Sequence, residues 1–141
     1  MEQKFKELEV IQPGSEPSQA PEAKPEARGV QNPRVVDLIT EDAQSGEVLL
    51  VMLEARPWGS LPEQLRQLEA KFNSYLEYVL GGHMEKQYPQ YAGRSICFRL
   101  ECVENPRPAD SAFFTAVANF AAGEEIRWVV AVKPDLEIES L

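Results

Sequence analysis

The sequence predicts an α+β / α/β two-layer sandwich, in the order β-β-α-β-α-β. A four-stranded sheet carries two helices on one face. Three observations predict it. Val48 to Leu53 (VLLVML) is an unbroken apolar run with a polar residue at each end. Leu61, Leu65, Leu68, Phe72, Tyr75, Leu76 and Val79 recur at steps of three and four. Ser95 to Val103 places Ile96, Phe98, Leu100 and Cys102 on one side and Cys97, Arg99, Glu101 and Val103 on the other. The first suits a strand covered on both faces, the second an amphipathic helix, and the third a strand with one buried face.

Residues 1–33 read as a tail. Met1 to Ile11 carries Phe5, Leu8 and Ile11 at three-residue steps, too short a helix to be stable alone. From Gln12 to Pro33 the prolines at 13, 17, 21 and 25 recur among Glu, Ala, Ser, Gln and Lys, the composition of a flexible linker. The domain is expected over residues 34–134. Arg34 to Ile39 is a short strand, and residues 41–46 make a polar loop into the central run. The pair reads as a hairpin.

Pro57 and Gly59 then turn the chain. Ser60 and Glu63 fit a capping box for the long helix, whose Lys71, Ser74 and Glu77 fall off the apolar stripe and are expected in solvent. The stripe covers only two to three heptads and reads as core packing rather than as a coiled coil. Gly81-Gly82 stops the helix, and His83 to Arg94 reads as irregular. After the alternating strand, Asp110 is a candidate N-cap for a helix over Ser111 to Ala122. Ile126 to Val132 is the last strand, and residues 135–141 form an acidic tail. If the sheet grows one way, right-handed crossovers put both helices on one face. The apolar second face of VLLVML then needs cover from the N-terminal segment, a second copy or a partner.

The formal net charge of −9 disfavours non-specific nucleic-acid binding and docking on anionic membranes. The N-terminus lacks a signal-peptide h-region, and no apolar run reaches spanning length, so a cytoplasmic protein is expected. Cys97 and Cys102 face opposite sides of one strand, about 16 Å apart, too far for a mutual disulfide. Two cysteines without a second pair give no zinc site, and neither a metal nor a cofactor is expected.

Val36-Asp37-Leu38-Ile39, Glu54-Ala55-Arg56-Pro57-Trp58, Gln64-Leu65 through Tyr75-Leu76 with Lys71 and Asn73, Tyr88-Pro89 and Gly93 together resemble a family of small bacterial domains of unknown function. The resemblance covers roughly residues 33–105 and implies a fold unit, without an activity or a catalytic residue.

The best binding candidate is the corner Arg56 to Ser60, where free backbone N–H groups and the positive end of the helix dipole lie near Arg56. Trp58 supplies a flat surface there, and His83, the one histidine, is the third candidate. Against a site, Arg56 can pair with Glu54, Trp58 can close the core, and His83 can cap a helix end. With Gly59 alone, the corner lacks a Gly-rich phosphate loop. No catalytic residue is named. The preferred reading is a protein-interaction module, binding a protein partner or itself as a homodimer through the sheet. The alternative is a binder of, or enzyme for, a small anionic ligand at Arg56 and Trp58. An acidic inhibitor or immunity protein rests on size and charge alone.

Overall fold

A computed structural model describes residues 27–138. The N-terminal segment and most of the expected linker, residues 1–26, lie outside the described residues, as do residues 139–141 of the acidic tail. The elements are β1 (Leu38–Glu41), β2 (Val48–Glu54), α1 (Gln64–Leu80), α2 (His83–Gln87), β3 (Ile96–Cys102), α3 (Ser111–Gly123) and β4 (Ile126–Val132). The sheet order is β1-β2-β3-β4. β1 runs antiparallel to β2, and β2, β3 and β4 are parallel. This is an open mixed sheet with an α+β element order. The two long helices fall as expected, and the short α2 is an addition in the stretch expected to be irregular.

In register, Val48, Leu50 and Met52 stand beside Ile96, Phe98 and Leu100, which stand beside Ile126, Trp128 and Val130. These residues and the helices share one core, which contains none of Leu49, Val51, Leu53 or Val129. Two parallel crossovers of the same hand, in a sheet that grows one way, place both helices on the same face. Phe72 is the hub of that layer. Its ring meets Phe98 and Trp128 edge-on, each at 5.7 Å between centroids. Such pairs add about 0.5–1.5 kcal/mol beyond the area they bury.

Lys71 and Ser74 overturn their expected exposure, since both are buried. The Lys71 ammonium donates to Asn32 O at 2.7 Å, Val35 O at 2.8 Å and Asp37 Oδ1 at 2.8 Å. All three of its N–H donors are therefore used. Ser74 Oγ donates to Pro33 O at 2.6 Å. Asp37 also accepts from Gly29 N (2.9 Å) and Leu53 N (2.9 Å). Its own N–H donates to the Tyr75 hydroxyl, which donates in turn to Val51 O.

This network explains why β1 begins at Leu38 and not at Arg34. Within the expected strand, Val35 O is engaged by Lys71 and Asp37 N by the Tyr75 hydroxyl, so these backbone groups bond to α1 side chains rather than to a neighbouring strand. It also moves the start of the packed unit ahead of residue 34. Val30 is fully buried in the core, and its N–H donates to Leu53 O at 2.8 Å.

The capping box does not form. α1 starts at Gln64 with Glu63 at its N-cap and no side-chain cap bond. Gln64 serves the corner instead, accepting from Gly59 N at 2.7 Å and donating to Pro57 O at 3.2 Å. Gly82, at φ 87°, supplies the left-handed turn that separates α1 from α2.

Burial holds the Lys71 ammonium below its usual pKa, outweighing the attraction of Asp37. Replacing Lys71 with Met leaves the buried Asp37 carboxyl without its partner. This is expected to cost about 3–5 kcal/mol. Urea unfolding checks it: the midpoint should fall while the slope stays constant. A loss below about 1 kcal/mol, the range of an ordinary surface substitution, would contradict this account of the network.

Candidate functional site

The corner after β2 lies at the carboxyl end of the parallel strands, where open α/β sheets usually hold ligands. Its polar groups are met from within the chain. Glu54, the last residue of β2, is 1 % exposed. Its carboxylate accepts from Arg56 Nε and Nη2, both at 2.8 Å, and from Arg56 N at 2.8 Å. Arg56 Nη2 also donates to Gln67 Oε1 on α1 at 2.9 Å. The bidentate pair fixes the guanidinium plane and raises the Arg56 pKa, chiefly through the Glu54 hydrogen bond.

Trp58 is buried, and its ring meets Phe114 of α3 edge-on at 5.4 Å. Its indole N–H donates to Glu104 O at 2.9 Å, and its backbone N–H donates to Glu104 Oε2 at 3.1 Å. Glu104, which sequence reasoning passed over, thus takes one of the amides that the corner would offer an anion, and Gln64 takes the next. Neither was legible beforehand, because each acts through a contact set by the fold rather than by a local pattern.

The loop after β3 closes the corner from the other side. Arg107 donates to both oxygens of Asp110, at 3.0 Å each, and a side chain on Gly59 would run into the Arg107 guanidinium. Gly59 has φ 87°, and this left-handed turn asks for glycine there.

The structure brings Arg56 and Trp58 to one corner but places His83 elsewhere. His83 opens α2, beyond the far end of α1, a helix of 17 residues and so about 25 Å long. Its Nε2 lies 3.6 Å from Glu77 Oε2.

Opposite the helices, the other face of the sheet carries apolar residues on β1, β2 and β4 and a charged pair on β3. Leu38 is 47 % exposed, and Leu49, Leu53, Val129 and Ala131 are half-buried. Val51 is buried between ladder positions held by Leu38 and Arg99. Glu47 accepts from Arg127 at 2.8 and 3.0 Å at one margin. On β3, Glu101 pairs with Arg99 at 3.0 Å, beside Val51 and Val129 in register, and with Lys133 at 3.5 Å. Cys97 is buried beneath this face and Cys102 beneath the helices, both free. Burial raises both thiol pKa values, that of Cys102 to about 11.

Among the described residues no helix is long and apolar enough to cross a membrane. The architecture is that of a small α+β domain with one sheet face that no described helix covers. The chain belongs to DUF6572, a family of unknown function whose model matches residues 28–133. No curated protein matches the chain, and no solved structure does.

Two outcomes follow. Cys97 and Cys102 should resist a thiol reagent in native buffer near pH 8 and both react in urea, because each is buried and favours the unreactive thiol. Rapid native labelling would contradict their placement.

The second concerns acid stability. The hydrogen bond from Arg107 holds the Asp110 carboxyl below its ordinary 3.8, and that from Arg127 holds Glu47 below 4.5. A carboxyl depressed in the folded state contributes its stability in full above the ordinary value and loses it as pH falls through the folded one. Stability should therefore drop between about pH 5 and pH 2, and the double variant Arg107→Ala/Arg127→Ala should show a shallower drop in urea titrations.

Proposed function

We propose that this chain is a non-catalytic interaction module that binds a protein partner through the helix-free face of its sheet. The observation that carries the reading is the layout of that face. Leu38, Leu49, Val51 and Leu53 form an apolar strip across β1 and β2, and the pairs Glu101–Arg99 and Glu47–Arg127 flank it on the side of β3 and β4. An apolar strip that no described helix covers, with charged pairs beside it, offers a partner both a desolvated contact and polar groups that fix its orientation. The corner adds support from the other direction, because Glu54, Glu104 and Gln64 already engage its donors.

The alternative, a small anionic ligand at Arg56 and Trp58, draws on one feature. The Arg56 side chain keeps 28 % of its surface open beside the Glu54 pair. A ligand there would have to compete with two carboxylates of the chain itself.

Affinity capture from the source cell tests the first reading. Leu38→Glu changes an exposed side chain and should leave the fold intact while removing the partner that wild type retains. An amine crosslinker should join the partner at Lys133, on the helix-free margin, and spare Lys86 on α2. An identical catch with Leu38→Glu would sink the reading. A thermal-shift screen on wild type and Arg56→Ala tests the alternative. An anion that raises the melting temperature of wild type alone would favour it.

A further inference from the structure

The two edges of the sheet are unlike. β1 is four residues long and ends in Glu41, which Arg94 pairs at 2.6 Å while also donating to Gly46 O. Short length and charge are ordinary guards against strand addition. β4 has neither. It runs seven residues, IRWVVAV, without proline. Its single charge, Arg127, is drawn across the sheet to Glu47 and away from the edge.

The hydrogen-bond phase of β4 says which groups stand free. Lys133 N donates to Cys102 O, so the odd-numbered residues of β4 turn their backbone groups toward β3. Alternation then turns the N–H and C=O of Ile126, Trp128, Val130 and Val132 outward, and no described residue meets them. On the same edge Val132 is 39 % exposed.

We infer that β4 pairs antiparallel with the β4 of a second copy, with Val129 opposite Val129, joining the two sheets into one. The occupant and register follow from complementarity. A twofold axis through Val129 sets Ile126 opposite Val132 and Trp128 opposite Val130, so all four outward residues find partners of the same phase. Centring on Val130 sets Ile126 against Pro134, which has no N–H. Centring on Trp128 sets Val132 against Glu124, outside the strand. The pairing leaves the helix-free face open on both copies, so it stands independently of the partner reading above.

Sedimentation of the full chain should show a dimer that dissociates on dilution, as a contact of edge-strand size predicts. Val129→Cys should form an intermolecular disulfide under mild oxidation, because a non-hydrogen-bonded pair brings its Cα atoms to about 4.5 Å. Arg127→Cys faces Ala131 in this register and should not link to itself. Val130→Pro removes one outward N–H and should yield a folded monomer. Should that variant fail to fold, Val132→Lys, at a side chain already partly in water, should give the same loss of dimer. Leu38→Glu should leave the dimer intact.

A monomer at every concentration would overturn the inference, and so would equal crosslinking of the two cysteine variants. A dimer broken by Leu38→Glu but not by Val132→Lys would overturn it as well, placing self-association on the face instead of the edge.

Discussion

A lysine ammonium with no access to water holds three parts of this chain in place. Lys71 sits on α1, its acceptors lie on the segment before β1, and Asp37 reaches on to Leu53 N of β2. Burying an ion pair costs several kcal/mol per charge in desolvation, so it persists only where every donor and acceptor is met. Here the three ammonium donors have three oxygens, and the Asp37 carboxylate has Gly29 N, Leu53 N and Lys71. The Tyr75 hydroxyl closes the set between Asp37 N and Val51 O. Apolar contacts are non-directional, whereas a fully satisfied buried polar network specifies one arrangement of helix, strand and entering chain.

The consequences spread outward from that arrangement. Residues 30–37 are held over the end of β2 by side chains, so β1 is short and its ladder starts late. Where β1 is missing, the Asp37 carboxylate and the Val30 amide supply the partners that a neighbouring strand would have given Leu53. Among the described residues the sheet is thereby finished on its β1 side and left unfinished on its β4 side. Both helices lie on one face because the crossovers share a hand. The central strand therefore shows Leu49, Val51 and Leu53 to a side where no described helix packs.

The corner at the carboxyl end of the strands shows how groups suited to a ligand can be used up internally. A strand end followed by a helix start offers free amides and a favourable dipole. In this chain two carboxylates and a carboxamide occupy that position: Glu54 on the Arg56 fork, Glu104 on the Trp58 amide, and Gln64 on the Gly59 amide. The result ties three elements at one end of the core, since Trp58 follows β2, Glu104 follows β3, and Phe114 on α3 packs against the indole.

The residues alone determined what depends on repeats a few positions apart. The period-two alternation of 95–103 set which face each of Ile96 to Cys102 would take, and the structure keeps that assignment. The span of β4 and the stripe of Leu68, Phe72, Tyr75 and Leu76 were legible for the same reason. So was the parting of Cys97 and Cys102 to opposite sides of the sheet. Lys71, Ser74, Gln64 and Glu104 were not legible, although each is a plain polar residue in a readable segment. Lys71 meets acceptors 34 to 39 positions away, and Trp58 meets Glu104 46 positions away. Whether a lysine lies in water or in the core is settled by what arrives over it, and only the folded chain brings Asn32, Val35 and Asp37 there. Local periodicity fixes which face a side chain takes; the long-range approach of another segment fixes whether that face meets water.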